Sequence, residues 1–227
     1  MIAYISPAFA GVFVLLAYAG VQPMLAVIDY GAGNLRSVMH ALNHLGAQSV
    51  RLVRAPDELR GARKIILPGV GAFGAGMAQL HRQGLIEPLR EAVKAGVPYL
   101  GICLGMQFLF ERSDEMGDHA GLKLLGGHVT RFPAIKGFKV PHMGWNQLEF
   151  TRESPLLNGL EANVSAYFVH SYYCAPADPE DVIVKVHYGV PFAAAVQRDN
   201  IFGVQFHPEK SQRTGLKLLR NFLDLPQ

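Results

Sequence analysis

The sequence predicts an α/β fold: a mostly parallel central sheet flanked by helices, with an antiparallel extension. Three observations predict it. Over the first half, short apolar runs alternate with stretches of helical period, the spacing of a parallel sheet covered on both faces. Over the second half, strand-like runs follow one another with no long helix between them, which calls for antiparallel pairing. After residue 24 there is no repeat, linker or low-complexity tract. At 227 residues, one domain with one sizeable core is the expectation, and we place it at 24–227.

Residues 1–23 are read apart from that domain. From Ile2 to Val21 the chain carries no charge, and Ala17-Tyr18-Ala19 has the small residues of a signal cleavage site. A basic n-region is missing, Pro7 and Gly11 interrupt the run, and a membrane span needs about 20 apolar residues. The expectation is an apolar N-terminal extension, from an upstream start codon or a dispensable segment, with a targeting signal as the alternative.

The elements then follow in order. Met24–Asp29 opens the domain as a strand with a buried apolar centre from Leu25 to Ile28. Gly31-Ala32-Gly33 is a turn, and Asn34 is the N-cap of a helix that ends at Gly46. Strands are expected at Ser49–Val53, Lys64–Leu67 and Pro98–Ile102, with an amphipathic helix at Leu85–Ala95 between the last two. A helical run starts from Met106. Further strands are expected at Val129–Phe132, Gln147–Phe150, Ala166–His170 and Val182–Val186. Ala193–Gln197 and Ile201–Phe206 flank Asp199-Asn200 as a hairpin, and a last helix runs from about Gln212 to Leu223.

Composition narrows the function classes. Half of the residues are hydrophobic and 17% are charged, the balance of a soluble globular protein. The net charge of +3 is scattered, so no nucleic-acid-binding stripe is implied. The two cysteines, Cys103 and Cys174, lie outside any CxxC spacing, which disfavours a disulfide scaffold or a thiolate metal site. A reducing, cytoplasmic setting suits them. In Gly31-Ala32-Gly33-Asn34-Leu35-Arg36 an arginine stands where a dinucleotide fingerprint needs its third glycine, so NAD binding is rejected. No cofactor or metal is expected. His128, His142, His170 and His187 lack ligand spacing and are read as structural or pocket-lining, and Cys174 as a small packed hydrophobe.

The chemistry is concentrated in two places. Gly101-Ile102-Cys103-Leu104-Gly105 sits between an apolar strand and a helical run, the context of a nucleophile elbow. Flanking glycines admit the sharp turn that exposes the middle side chain. A helix N-terminus there would favour a thiolate and place the Leu104 N–H to stabilise an oxyanion. The other reading is a buried cysteine in a glycine-rich core turn. Far along the chain stands Gln205-Phe206-His207-Pro208-Glu209. In an extended chain, residues two apart face the same side, so Glu209 would orient the imidazole of His207 and stabilise its cation. The other reading is a surface His and Glu at a strand end. Leu67-Pro68-Gly69-Val70-Gly71 is either a second source of inward backbone N–H groups or a plain tight turn.

With these motifs in hand, the chain resembles the class I glutamine amidotransferases. Within them it is most similar to the glutaminase subunits of imidazole glycerol phosphate synthases. The matching segments include Ile28-Asp29-Tyr30-Gly31-Ala32-Gly33-Asn34-Leu35, Pro68-Gly69-Val70-Gly71-Ala72-Phe73 and Gly101-Ile102-Cys103-Leu104-Gly105-Met106-Gln107. Three more are Val140-Pro141-His142-Met143-Gly144-Trp145-Asn146, Tyr167-Phe168-Val169-His170-Ser171-Tyr172 and Gln205-Phe206-His207-Pro208-Glu209-Lys210-Ser211. The resemblance implies a flavodoxin-like fold and a catalytic set of Cys103, His207 and Glu209 that releases ammonia from glutamine. It implies oxyanion donors at Leu104, Gly69 and Val70, and glutamine-binding positions at Gly71, Gln107, Ser171 and Tyr172. It also implies a heterodimer with a cyclase subunit, faced by Asn34, Tyr167 and Lys210. Other readings stay open: the amidotransferase subunit of another synthase, a hydrolase without a synthase, and a non-catalytic binding module.

Overall fold

A computed structural model describes residues 23–226 of the chain. The expectations for residues 1–22 therefore fall outside the described residues. The first half builds β1 (Met24–Ile28), α1 (Leu35–His44), β2 (Val50–Val53), β3 (Ala62–Gly69), α2 (Phe73–Arg82), α3 (Ile86–Lys94), β4 (Tyr99–Cys103) and the single turn α4 (Leu104–Gln107). The second half builds β5 (Arg112–Ser113), β6 (His119–Ala120), β7 (Gly127–Arg131), β8 (His142–Gln147), β9 (Glu149–Phe150), β10 (Ser165–His170) and β11 (Tyr172–Pro176). It closes with β12 (Val182–Tyr188), β13 (Val190–Arg198), β14 (Ile201–Val204) and α5 (Gln212–Leu223).

The main sheet runs β2-β1-β3-β4-β14-β13-β11-β7-β5-β6, with β12 added beside β13 and β9 beside β12. Pairing is parallel from β2 through β14 and antiparallel at β14–β13, β13–β11 and β11–β7. This is the expected mostly parallel sheet with its antiparallel extension. Alternation along each strand supplies two cores, one per face. In β1, Met24, Ala26 and Ile28 enter one hydrophobic cluster, and Leu25 and Val27 the other.

Local signals explain the helices that cover these faces. In α1 the Asn34 side chain accepts the Ser37 N–H at 3.4 Å, and Val38, Ala41 and Leu42 are buried at i, i+3 and i+4. Burial of a Val or Leu side chain of this kind stabilises by roughly 1.5–3 kcal/mol. The helix stops where Gly46 takes φ +69° and the Ala47 N–H returns to the Leu42 carbonyl, a glycine C-terminal motif. In α3, Leu89 and Val93 are buried, and the helix ends the same way at Gly96.

Several expectations are corrected. Helix α2 adds to the elements expected from the sequence, which leave residues 73–82 unassigned. Its Gly76 is required by packing, since a Cβ there would lie 2.5 Å from the Phe108 ring. Its first N–H is capped from elsewhere: the Glu115 carboxylate accepts from Phe73 N–H at 2.6 Å. The helix expected from Met106 is only the four-residue turn α4, so the dipole invoked there is that of one turn. The strand expected at Gln147–Phe150 is divided, with β8 pairing β10 in a separate ribbon and β9 pairing β12. Buried Leu148 marks the change between the two. The strand expected at Ile201–Phe206 ends at Val204, and β11 was not anticipated.

Candidate active site

Parallel pairing brings the C-terminal ends of β3, β4 and β14 to one edge, the usual place for a site in an open α/β sheet. Gly69 is in register with Cys103, and Val204 with Ile102. At the end of β4 the alternation breaks: Ile102 and Cys103 both face the second cluster, because Cys103 takes φ +54° and ψ −108°. That backbone is costly for a residue with a Cβ and is the sharp elbow expected here. The glycines around it are steric necessities. A Cβ on Gly101 would sit 2.3 Å from the Gly105 carbonyl oxygen, and one on Gly105 only 1.7 Å from the Leu67 carbonyl oxygen.

His207 comes from just beyond β14. Its N–H donates to the Tyr167 carbonyl at 3.0 Å, and its own carbonyl accepts the Ser211 hydroxyl at 2.7 Å. Ser211 also accepts the Tyr167 N–H at 3.0 Å, so one hydroxyl ties the segment to β10. Nδ1 of His207 meets the Glu209 carboxylate at 2.9 Å. The expected route to that contact is corrected: Pro208–Lys210 is a turn of 3-10 helix, not extended chain. His207 itself is extended, as expected before a proline.

Burial opposes a charge on His207, but the nearby Cys103 sulfur and the hydrogen-bonded Glu209 carboxylate outweigh it and carry the imidazole pKa up to about 10. Nε2 of His207 and the second oxygen of Glu209 are buried without a protein hydrogen-bond partner. Cys103, His207 and Glu209 are thus brought together.

A cavity of about 330 Å³ opens in front of the elbow. Of the expected residues it is lined by Val70, Gly71, Cys103, Leu104, Gln107, Ser171 and Tyr172. Gly69 lies beneath it, where a Cβ would collide with the Tyr30 hydroxyl at 2.3 Å and Leu104 at 2.9 Å. Gly71 holds φ +100°, which explains the glycine. His170, read from the sequence as structural or pocket-lining, lines the cavity, as do Glu115, Pro141 and Val169, for which no such role is expected. A second recess of about 470 Å³, beside Arg131, Lys136 and Phe138, is lined by no cysteine, serine or threonine. Both cysteines are free, and among the described residues no group of three or more His, Cys, Asp or Glu is arranged to hold a metal.

The model of the family "Glutamine amidotransferase class-I" matches residues 26–225. The chain belongs to the class I glutamine amidotransferases. It is 53% identical over 201 residues to the imidazole glycerol phosphate synthase subunit HisH of Moorella thermoacetica, covering 88% of this chain and 94% of that one. The protein of the same name from Syntrophotalea carbinolica is 48% identical over 207 residues, covering 89% of this chain and all of its own. Among solved structures, PurLQS of Thermotoga maritima superposes with a TM-score of 0.70 at 24% identity, over 90% of this chain and 99% of that one. That likeness bears on the fold.

On this amidotransferase, the positions expected to face a partner fall partly together. The Lys210 ammonium lies 6.0 Å from the Tyr167 ring centroid, and Trp145 packs edge-on to the same ring at 6.1 Å. Trp145 and Met143, to which the sequence assigns no site role, are exposed large hydrophobics on β8. Asn34 stands at the start of α1 with its side chain occupied as a cap. Among the described residues, no helix is long and apolar enough to cross a membrane.

Proposed function

We propose that this chain is the glutaminase subunit of an imidazole glycerol phosphate synthase and works through Cys103, His207 and Glu209. The observation that carries the reading is the elbow cysteine at φ +54°, beside an imidazole that is bonded to a buried carboxylate. A protonated His207 favours the Cys103 thiolate. The thiolate attacks the carboxamide carbon of glutamine, and the carbonyl oxygen becomes an oxyanion. The Leu104 N–H and the turn around Gly69 and Val70 supply its donors. His207 gives its proton to the departing nitrogen, and ammonia leaves a glutamyl thioester. Water then attacks the thioester with His207 as base, glutamate departs, and the thiolate returns. Glu209 holds the ring and stabilises its cation throughout. Gly71, Gln107, Ser171 and Tyr172 hold the glutamine.

Relatives named as subunits of that synthase support the wider role. Ammonia freed into water is protonated and diluted, so the acceptor must bind on a docked subunit. We place a cyclase partner against Asn34, Tyr167 and Lys210, forming a heterodimer that makes imidazole glycerol phosphate and aminoimidazole carboxamide ribotide in histidine biosynthesis. The 24–227 domain carries these roles, and a cytoplasmic setting suits the free thiol. Cys103→Ala should lower glutamine-dependent synthesis by about 10⁴-fold or more. Synthesis from ammonium salts should survive, and Cys174→Ala should behave as wild type. Glutamine turnover that persists in Cys103→Ala would refute the assignment.

A further inference from the structure

Gln205, the first residue after β14, is fully buried, and the reaction above makes no use of it. Its side chain is caught between two groups that the reaction does use. The Tyr172 carbonyl can only accept, so the Gln107 atom 3.1 Å from it is the amide nitrogen. That nitrogen also donates to Gln205 Oε1 at 3.1 Å. Both of its hydrogens are then committed, and Gln107 Oε1 remains as the acceptor that this cavity-lining side chain can offer. With its own oxygen occupied, Gln205 turns Nε2 to Cys103 Sγ at 3.7 Å, within range of an N–H···S bond. The carbonyl that sets this order is itself pinned. His170 Nδ1–H donates to it at 2.8 Å, and His170 Nε2 takes His142 Nδ1–H at 3.0 Å. Both amide orientations therefore follow from one backbone oxygen.

We propose that Gln205 is a positioning residue of the glutaminase: it locks the Gln107 amide with its oxygen available to the glutamine, and it gives Cys103 Sγ an N–H donor. The proposal rests on the glutaminase reading above. A donor is worth more to a thiolate than to a thiol, so Gln205 acts on the attacking form. Its oxygen and its nitrogen serve different partners, so two substitutions separate them. Gln205→Glu keeps an acceptor for Gln107 but turns an oxygen towards the sulfur. Gln205→Met removes both contacts at similar length.

Two measurements test this. In the complex with the cyclase subunit, Gln205→Glu should lower kcat by about ten- to a hundredfold, the worth of a hydrogen bond to a charged group, with KM for glutamine nearly unchanged. Gln205→Met should lower kcat and also raise KM. On the isolated chain in a Cys174→Ala background, the rate of Cys103 alkylation by iodoacetamide is followed against pH, with Cys103→Ser as the blank. For Gln205→Met, which removes the donor without adding a charge, the profile should move to higher pH. In that background the titratable groups around the sulfur are His207, Tyr30, His170, Glu209 and Glu115, and Gln205→Met leaves all of them in place and adds none.

An unmoved alkylation profile with unchanged kcat would overturn the contact to Cys103. An unchanged KM in Gln205→Met would overturn the lock on Gln107. If Gln205→Glu does not fold, Gln205→Met decides alone: a lower kcat with a higher KM supports the proposal, and wild-type values refute it. Should the wild-type complex release no ammonia from glutamine, the glutaminase reading fails, while the alkylation profile still reports on Gln205.

Discussion

Cys103 illustrates how a single residue's backbone governs the chemistry it can do. At φ +54° its side chain leaves the alternation of β4, and the strain is held by glycines whose missing side chains let α4 close over the strand. Gly101 and Gly203 are in register on β4 and β14, and both crowd Met106: a Cβ on Gly203 would be 2.7 Å from its Cγ. Gly105 is the tightest, with the Leu67 backbone oxygen 1.7 Å from any added Cβ. Backbone cannot yield as a flexible side chain does. Gly105→Ala should therefore cost about 3 kcal/mol, the upper end of ordinary overpacking, and should displace the Leu104 N–H from the oxyanion. The check is a urea midpoint together with glutaminase activity in the complex. Wild-type values for both would show that the elbow is looser than its contacts indicate.

Among the elements, α5 does more than close the chain. Its buried face, Gly215, Leu218, Leu219 and Phe222, packs under the 3-10 turn that carries Glu209. Gly215 lies so close to that turn that a Cβ would be 1.9 Å from the Pro208 carbonyl oxygen. The Asn221 amide donates to the Leu156 and Asn158 carbonyls at 2.9 and 2.8 Å, so the far end of the helix cannot slide to make room. Gly215→Ala should push the Pro208 turn away and lengthen the His207–Glu209 contact. We expect about 1–3 kcal/mol of lost stability and a fall in kcat larger than any change in KM for glutamine. Steady-state kinetics of the complex check this, and a variant with altered KM alone would place the strain elsewhere.

For the whole molecule, the buried imidazoles set a pH window of stability. Burial lowers the His170 pKa to about 3 and the His142 pKa to about 4, against about 6.5 in an unfolded chain. Between those values the unfolded chain binds more protons, so their contribution is full above pH 6.5 and is lost as pH falls. For His170 the slope is about 1.4 kcal/mol per pH unit. His207 has the opposite sign. Its pKa is raised to about 10, so its stabilisation is full below pH 6.5 and is lost as pH rises through 10. Urea midpoints should therefore peak near pH 6.5. His142→Asn should make the acid limb shallower, and His207→Gln should flatten the alkaline limb. A wild-type midpoint that stays flat from pH 4 to 10 would contradict both assignments.

What the sequence by itself determined was local or periodic. Apolar runs and helical periods placed β1, β3, β4, α1, α3 and α5, because burial on a sheet face or helix stripe repeats at a fixed spacing. The glycines of the elbow and the residue types of the His-Pro-Glu tripeptide were legible as short local patterns, although the 3-10 turn that joins His207 to Glu209 was not. Tertiary structure alone decided the rest. The cap of α2 comes from Glu115, 42 residues away, and no pattern local to Phe73 contains it. The split after Gln147 depends on which partner strand each half meets, β10 or β12. Gln205 reaches Cys103 across 102 residues. Its place between Gln107 and the sulfur exists only because parallel pairing carries β4 and β14 to the same edge, a fact of strand order that no local pattern contains.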